Sequence, residues 1–174
     1  MSSFAKRMLG AAQLDVAIYE EVEHDKDATG QALGVVVLSA LCAGIGGAAV
    51  GGFGALIGLT LAALVGWFLW AGVIYLIGGK LLATEQTDVD MGQLLRTLGF
   101  AQSPGVLRVL GVIPGLGALI QLVASIWMLV AMVIAVRQAL DYESTGRAIG
   151  VVLLGFLAYL LTFGTLFAIF GPPT

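Results

Sequence analysis

The chain has 174 residues, of which 59% are hydrophobic and only 11% charged, and its mean hydropathy is +1.02. Soluble domains carry about a quarter of charged residues, and a water-soluble fold of this length could not bury so much apolar surface. The net charge of −3, without a basic patch, also argues against nucleic-acid binding. We therefore expect the chain to lie in a lipid bilayer.

The N-terminal segment predicts an amphipathic surface helix from about residue 3 to 24. Its apolar residues recur at steps of three or four positions: Phe4, Met8, Ala11, Leu14, Ile18 and Val22. Asp15 interrupts this stripe, and the second half of the segment is acidic. We expect residues 1–27 to form a cytoplasmic helix and residues 28–174 to form a membrane domain.

Three long stretches supply the membrane spans. Residues 28–79 contain no charge and residues 97–136 contain only Arg108, so each has room for two helices of roughly 20 residues. Residues 148–174 are uncharged and supply one more span. The predicted fold is an all-α, polytopic transmembrane helical bundle with five spans. We expect Trp67 and Trp70 of the second span to pack against the glycine-rich first span.

Two twelve-residue stretches, "DATGQALGVVVL" from Asp27 and "ESTGRAIGVVLL" from Glu143, share seven identities. Each places an acidic or hydroxyl residue before an apolar run, as at the start of a helix. Each also has a glycine pair four residues apart, and such pairs allow close helix packing in lipid. These pairs are Gly30 with Gly34 and Gly146 with Gly150. Chance similarity is the alternative, but we expect the first and fifth spans to use these faces for close contact.

The charges lie on one side of the predicted topology. Seven of the eight Lys and Arg residues fall in the segments before the first span, between the second and third, and between the fourth and fifth. By the positive-inside rule this side is cytoplasmic. With five spans, the N-terminus is expected in the cytoplasm and the C-terminus on the opposite side of the membrane.

Pro104 interrupts the third predicted span, from about residue 92 to 113. Proline removes a backbone hydrogen bond, so a kink or break is expected near Gln102 and Ser103. The span is either one kinked helix or an interfacial helix to about residue 102 followed by a short half-span. Pro114 and Gly115 form the turn to the fourth span.

Arg108 is the one charge predicted within hydrocarbon depth, where ionisable residues are costly. Three roles stay open for it. It can extend to the uncharged surface, pair with Gln121 or Ser125, or line a path for a substrate or ion. The other intramembrane polar candidates are Gln102, Ser103, Pro104, Gln121 and Ser125.

Catalytic and metal sites are not expected. His24 is the single histidine and Cys42 the single cysteine, so most hydrolase and zinc arrangements lack their residues. We predict no cofactor and no enzymatic activity.

Two segments resemble prokaryotic members of the Yip family, the Ypt/Rab-interacting membrane proteins. The first runs from "LGFAQSPGVLRVLGVIPG" through "AVRQALDYESTGRA". The second is "YEEVEHDKDATGQALGVVV". The resemblance implies five spans, a cytoplasmic N-terminus and a location in the cytoplasmic membrane of a prokaryote. Eukaryotic members bind prenylated Rab-type GTPases, but their Asp-Leu-Tyr-Gly-Pro element is missing here. We therefore do not predict a Rab-type GTPase as a partner of this chain.

Two functions fit these observations. The first is a non-enzymatic protein that organises or shapes membrane, or scaffolds membrane proteins, with lipids, other membrane proteins or its own copies as partners. The alternative is a small transporter or channel for lipid or a small solute, using the broken third span.

Overall fold

The computed structural model describes residues 3–47 and 52–170, and this part of the chain is built from helices without a β-strand. The helices are α1 (Phe4–Ala12), α2 (Val16–His24), α3 (Ala28–Gly46), α4 (Gly52–Leu76), α5 (Met91–Phe100), α6 (Gly117–Ala139) and α7 (Thr145–Phe170). A π-helical turn, Ile77–Leu81, extends α4, and a 3₁₀ segment, Ser103–Val112, connects α5 to α6. Within this part, four helices are long and apolar enough to cross a membrane: α3, α4 with its extension, α6 and α7.

The N-terminal segment forms two helices, so the prediction of one continuous helix is wrong. Leu14 has a left-handed backbone with φ of 64°, which turns the chain between α1 and α2. Asp15 then caps α2, because its carboxylate accepts the Ala17 N–H at 3.0 Å. The residue that interrupts the apolar stripe is therefore a helix cap.

The third predicted span is discontinuous, so the single kinked helix is wrong. Asp90 and Gln93 form a capping box at the start of α5, with hydrogen bonds of 2.7 and 2.6 Å. The helix ends at Phe100, whose carbonyl accepts the Ser103 hydroxyl at 2.7 Å. Pro104 follows in the first turn of the 3₁₀ segment, where its missing N–H costs nothing.

The ends of α4 and α6 lie together at one end of the bundle. The Tyr142 hydroxyl reaches the Gly78 and Leu82 carbonyls at 3.0 and 2.9 Å, and Thr87 donates to the Leu140 carbonyl at 3.0 Å. Most charged residues lie here, and we call it the charged end. Because α6 has 23 residues, it begins roughly 33 Å away from this end.

The α3 helix lies at the centre and runs alongside α5 and then the 3₁₀ segment. Three glycines make this approach close: Gly99 lies against Ala32, Gly105 against Ser39, and Gly111 against Gly46. Along this contact the residue numbers increase in the same direction in both segments. Hence α5 and the 3₁₀ segment run parallel to α3 from the charged end towards the other end of the bundle.

The two repeated stretches begin α3 and α7, as expected for helix starts. Asp27 occupies the N-cap position of α3 but makes no side-chain capping bond. The connection between the first two spans lies partly outside the described residues, and residues 171–174 lie outside them entirely.

Candidate functional site

Two adjoining cavities lie among α3, α4, the start of the 3₁₀ segment and α6. The first, of about 210 Å³, is lined in part by Ser39, Ala43, Leu59, Ala63, Gln102 and Arg108. The second, of about 260 Å³, is lined in part by Ala63, Trp67, Trp70, Gln102, Met128 and Met132. Because Ala63 and Gln102 line both, we treat them as one chamber with a polar part and an apolar part.

Arg108 pairs with Ser125, which is one of the roles that the sequence left open. Its Nη2 donates to the Ser125 hydroxyl at 3.2 Å, whereas its Nε is buried without a hydrogen-bond partner. Gln121, the other predicted partner, is exposed on α6. The side chain is therefore held inside the bundle by a single neutral hydrogen bond.

The charge of Arg108 is not balanced by the surrounding chain. Residues 28–79 and 97–136 supply the walls of the chamber, and neither stretch contains an Asp or a Glu. A cation removed from water without a carboxylate partner is costly. The polar part of the chamber is therefore lined by a positive charge that has no carboxylate partner.

Ser39 and Gln102 add further unused hydrogen-bonding groups. Ser39 is 1% exposed, and its hydroxyl makes no hydrogen bond to the part of the chain that the structure describes. By contrast, Thr60 and Thr97 each donate to the carbonyl four residues earlier. The Gln102 amide is likewise without a partner among the described residues.

The apolar part of the chamber is built around two tryptophans. The Trp67 ring N–H donates to the Leu95 carbonyl at 3.1 Å, and Trp70 packs against Phe156 with ring centroids 4.7 Å apart. The expectation that they pack on α3 is therefore wrong, since their contacts lie on α5 and α7. The Trp70 Nε1 is buried without a partner, and it is the second such donor among the described side chains.

Ser103 and Pro104, two of the predicted polar candidates, have structural positions. Both are buried, and the Ser103 hydroxyl donates a hydrogen bond to the Phe100 carbonyl. They end α5 and thereby bring Gln102 to the junction of the two cavities. Of the six predicted intramembrane candidates, Gln102 and Arg108 line the chamber, and Ser125 supports it.

The four predicted packing glycines do not mediate close contact within the chain. A Cβ added at Gly30 or Gly150 would meet nothing within 4 Å. At Gly34 the nearest atoms belong to Phe4, at 3.9 Å, and at Gly146 to Ser144, at 3.5 Å. Within the single chain these faces make no close helix contact, and their use in packing stays a prediction.

Other glycines make the close approaches. A Cβ on Gly46 would lie 1.6 Å from the Arg108 carbonyl oxygen, and one on Gly105 would lie 2.0 Å from the Ser39 hydroxyl. One on Gly78 would lie 2.4 Å from a Leu140 methyl group. Glycine itself indicated close helix packing, but the four-residue spacing that we used to select glycines does not identify the ones that make these contacts.

The charged end holds a buried arginine that the sequence did not single out. Arg7 is 1% exposed and donates to Glu21 at 2.8 Å, Asp25 at 2.6 Å and Gln31 at 3.1 Å. Burial opposes its charge, but the hydrogen bonds and charges of Glu21 and Asp25 outweigh burial and raise the pKa of Arg7. The Arg7 side chain thus connects α1 to Glu21 of α2, to Asp25 directly after α2 and to Gln31 of α3.

Arg96 fixes the end of α2 in a similar way. It donates to the Val22 carbonyl at 2.9 Å and twice to the Glu23 carbonyl, while Gln93 donates to the Glu23 carboxylate at 3.1 Å. Glu23 is 3% exposed. Burial raises its pKa to about 7, with Asp141 acting in the same direction and His24 and Arg96 against it.

A third arginine closes the connection between α6 and α7. Arg137 donates to the Tyr142 and Glu143 carbonyls and to the Thr145 hydroxyl at 3.1–3.3 Å. It stands at the end of an apolar groove of about 590 Å³ between α6 and α7. All three of these arginines have several acceptors, unlike Arg108.

The Yip1 domain matches residues 16–165, from the start of α2 to the outer part of α7. The chain belongs to the Yip1 family. This Yip1 protein, with its long apolar helices, is an integral membrane protein, and the family is not known as enzymatic. Neither the curated proteins nor the solved structures contain a match.

No group of three or more metal-binding side chains is found in the part of this Yip1 chain that the structure describes. His24 is exposed, and its Nδ1 lies 2.9 Å from the Glu20 carbonyl oxygen. His24 therefore lies at an exposed end of α2. The sequence reasoning missed Ser39, Arg7 and Arg96, because a single polar residue beside an apolar stripe has no distinctive pattern.

Proposed function

We propose that this protein is a non-enzymatic membrane organiser that crosses the bilayer five times and widens its cytoplasmic half. The fifth crossing is the discontinuous pair of α5 and the 3₁₀ segment. In support, α4 and α6 end together, so the chain between them must reach the far end before α6 begins. The N-terminus would lie in the cytoplasm and the C-terminus on the opposite side of a prokaryotic membrane.

The observation that carries the organising role is the position of α1. The Trp127 ring N–H donates to the Ala12 carbonyl at 2.7 Å, so the end of α1 lies beside the middle of α6. Trp127 is roughly 18 Å along α6 from Ala139. Leu9 is 60% exposed and Val16 is 42% exposed. An apolar helix surface at this depth faces acyl chains.

The consequence is an asymmetric shape. Both α1 and α2, with the buried start of α5, add protein at the charged end, and Arg7 and Arg96 join them to the bundle. Helices inserted into one leaflet occupy area there and not in the other. A protein wider in one leaflet favours curvature towards that leaflet, which is the proposed mode of membrane shaping.

Vesicle size measures this effect. Purified protein reconstituted into liposomes at a fixed ratio is expected to reduce the vesicle diameter seen by electron cryomicroscopy. Leu9→Asn should weaken the reduction, because it makes the inserted face polar. Lys6→Asn is the matched control, since Lys6 is exposed on the same helix. Diameters equal to those of protein-free liposomes would contradict the proposal.

The proposed partners are membrane lipids and further copies of the chain or other membrane proteins. Gly30 and Gly150 are open to close approach by a neighbouring helix. Gly30→Leu with Gly150→Leu should therefore reduce self-association, measured by cross-linking in mild detergent, without lowering the stability of the monomer. Unchanged cross-linking would remove these faces from the proposal.

Transport of a lipid or small solute is a second candidate, and the chamber beside the broken span favours it. Broken helices line the substrate sites of many transporters. Liposome flux assays separate the two functions, with Arg108→Met and Gln121→Leu as variants. The absence of flux with the unmodified protein would end the transport hypothesis and leave the organising role unaffected.

A further inference from the structure

We infer that the chamber is a binding site for a single-chain amphiphile with an acidic head group, its head in the polar part and its tail in the apolar part. The ligand chemistry is that of a carboxylate or phosphate on an acyl chain. This site goes beyond the organising role, which depends on α1 and α2.

The head group is assigned from the unused donors of the polar part. Arg108, Ser39 and Gln102 all line this cavity, and the buried Nε of Arg108 has no hydrogen-bond partner. Buried polar groups are nearly always hydrogen-bonded, so a buried donor without a partner needs a structural or functional reason. All three groups donate, and an acceptor with several oxygens satisfies them together.

The charge of the ligand follows from the composition of the walls. Arg108 is a cation among helices that contain no acidic residue over 28–79 and 97–136. A neutral acceptor would satisfy the donors but leave the charge unbalanced. An anion satisfies both requirements.

The tail is assigned from the apolar part. Trp67, Trp70, Met128 and Met132 line a cavity of about 260 Å³ that meets the polar part at Gln102 and Ala63. Methionine and aromatic side chains adapt to flexible apolar ligands. Leu59 of α4 lines the polar cavity and is exposed on the outside of the bundle, so an amphiphile can enter from the lipid beside it.

The position of the tryptophans gives a direct test. With Trp127→Phe as the background, the remaining tryptophans are Trp67 and Trp70, which line the apolar part. The full-length protein in micelles is titrated with 12-bromododecanoate, whose bromine quenches nearby tryptophan fluorescence. Saturable quenching that unbrominated dodecanoate reverses is the expected result. Quenching that does not saturate would overturn the site.

Variants and competitors then test the head group. Arg108→Met should weaken binding at least tenfold, because it removes the charge and keeps the length. Ser39→Ala, which changes one atom, should weaken it about threefold, and Gln121→Leu should leave it unchanged. Dodecyl phosphate should compete as well as dodecanoate.

Two further outcomes overturn the assignment. If dodecanol competes as well as dodecanoate, the acidic head is wrong. If inorganic phosphate alone competes equally, a free anion suffices and the amphiphile is wrong. Should Arg108→Met fail to fold, Ser39→Ala decides, since undiminished binding by that variant would remove the polar part from the site.

Discussion

Arg7 is buried and Arg108 is partly buried in the helical bundle, and their hydrogen-bond partners differ. Arg7 has two carboxylates and an amide within hydrogen-bond distance. Arg108 has one serine hydroxyl and a buried Nε without a partner. One arginine thus joins helices of the chain, whereas the other has a charge that no carboxylate in the chamber walls balances.

The difference teaches how to separate structural from functional charges in a membrane bundle. Removing one member of a buried and fully paired ionic group is strongly destabilising, because the remaining members are left unpaired. A charge without a partner inside the protein is costly to the folded state, so its removal should cost little stability. Substitutions at the two positions should therefore differ in sign or size.

The largest expected effect is at Arg7. Arg7→Met leaves Glu21 and Asp25 without their buried cation, and the free energy of unfolding should fall by about 3–5 kcal/mol. Denaturant unfolding in mild detergent measures it. Lys6→Met on the same helix is the control and should change stability by less than about 0.5 kcal/mol, since Lys6 is exposed. Equal effects of the two substitutions would contradict the structural role of Arg7.

Gly46 gives the next largest effect and tests the packing of α3 on the 3₁₀ segment. Gly46→Ala places a methyl group against the Arg108 carbonyl and should lower the free energy of unfolding by about 1–3 kcal/mol. Gly30→Ala is the matched control on the same helix, where a Cβ meets nothing within 4 Å. Because alanine favours helix, Gly30→Ala should be neutral or slightly stabilising. The reverse order would show that α3 does not pack on the 3₁₀ segment.

Glu23 makes the charged end sensitive to pH. Its pKa of about 7 in the folded protein exceeds the value of about 4.3 expected on unfolding. The folded state therefore binds more protons between these values, and stability should fall by about 1–3 kcal/mol as pH rises from 4.5 to 7.

Glu23→Gln should remove most of this slope, as measured by denaturant unfolding at several pH values. The hydrogen bond to the Glu20 carbonyl raises the pKa of His24, so His24 also loses stabilisation with rising pH, but only above about 6.5. The range from pH 5 to 6.3 therefore reports on Glu23. An unchanged slope there would refute the shifted pKa.

The smallest expected effect is at Arg108. Arg108→Met loses one hydrogen bond to Ser125 but also removes an uncompensated charge and an unpaired Nε. These contributions oppose each other, so stability should change by less than about 1 kcal/mol in either direction. A loss as large as that at Arg7 would mean that Arg108 is structural, and the comparison would fail.

Much of the fold was predictable because it follows from strong local patterns. The uncharged runs predicted the long helices, Pro104 predicted the break before the 3₁₀ segment, and the repeated stretches predicted the starts of α3 and α7. Each of these depends on residues close together in the chain.

The remainder required contacts between distant residues. Gly46 and Gly111 form a close contact, but nothing in their local sequence distinguishes them from Gly30 or Gly150. The same holds for Arg7, whose partners lie 14 to 24 residues away. For Arg108, sequence supplied the depth and the Ser125 alternative, but the cavity and the unpaired Ser39 depend on three helices.

The crossing by α5 and the 3₁₀ segment is the central claim, because it places the charged end and the 3₁₀ end at opposite surfaces. Single cysteines at Asp88 and Leu116, both exposed, can be introduced with Cys42 replaced by alanine. In sealed vesicles of one orientation, a membrane-impermeant maleimide should label the two positions from opposite sides. Labelling of both from the same side would contradict the account.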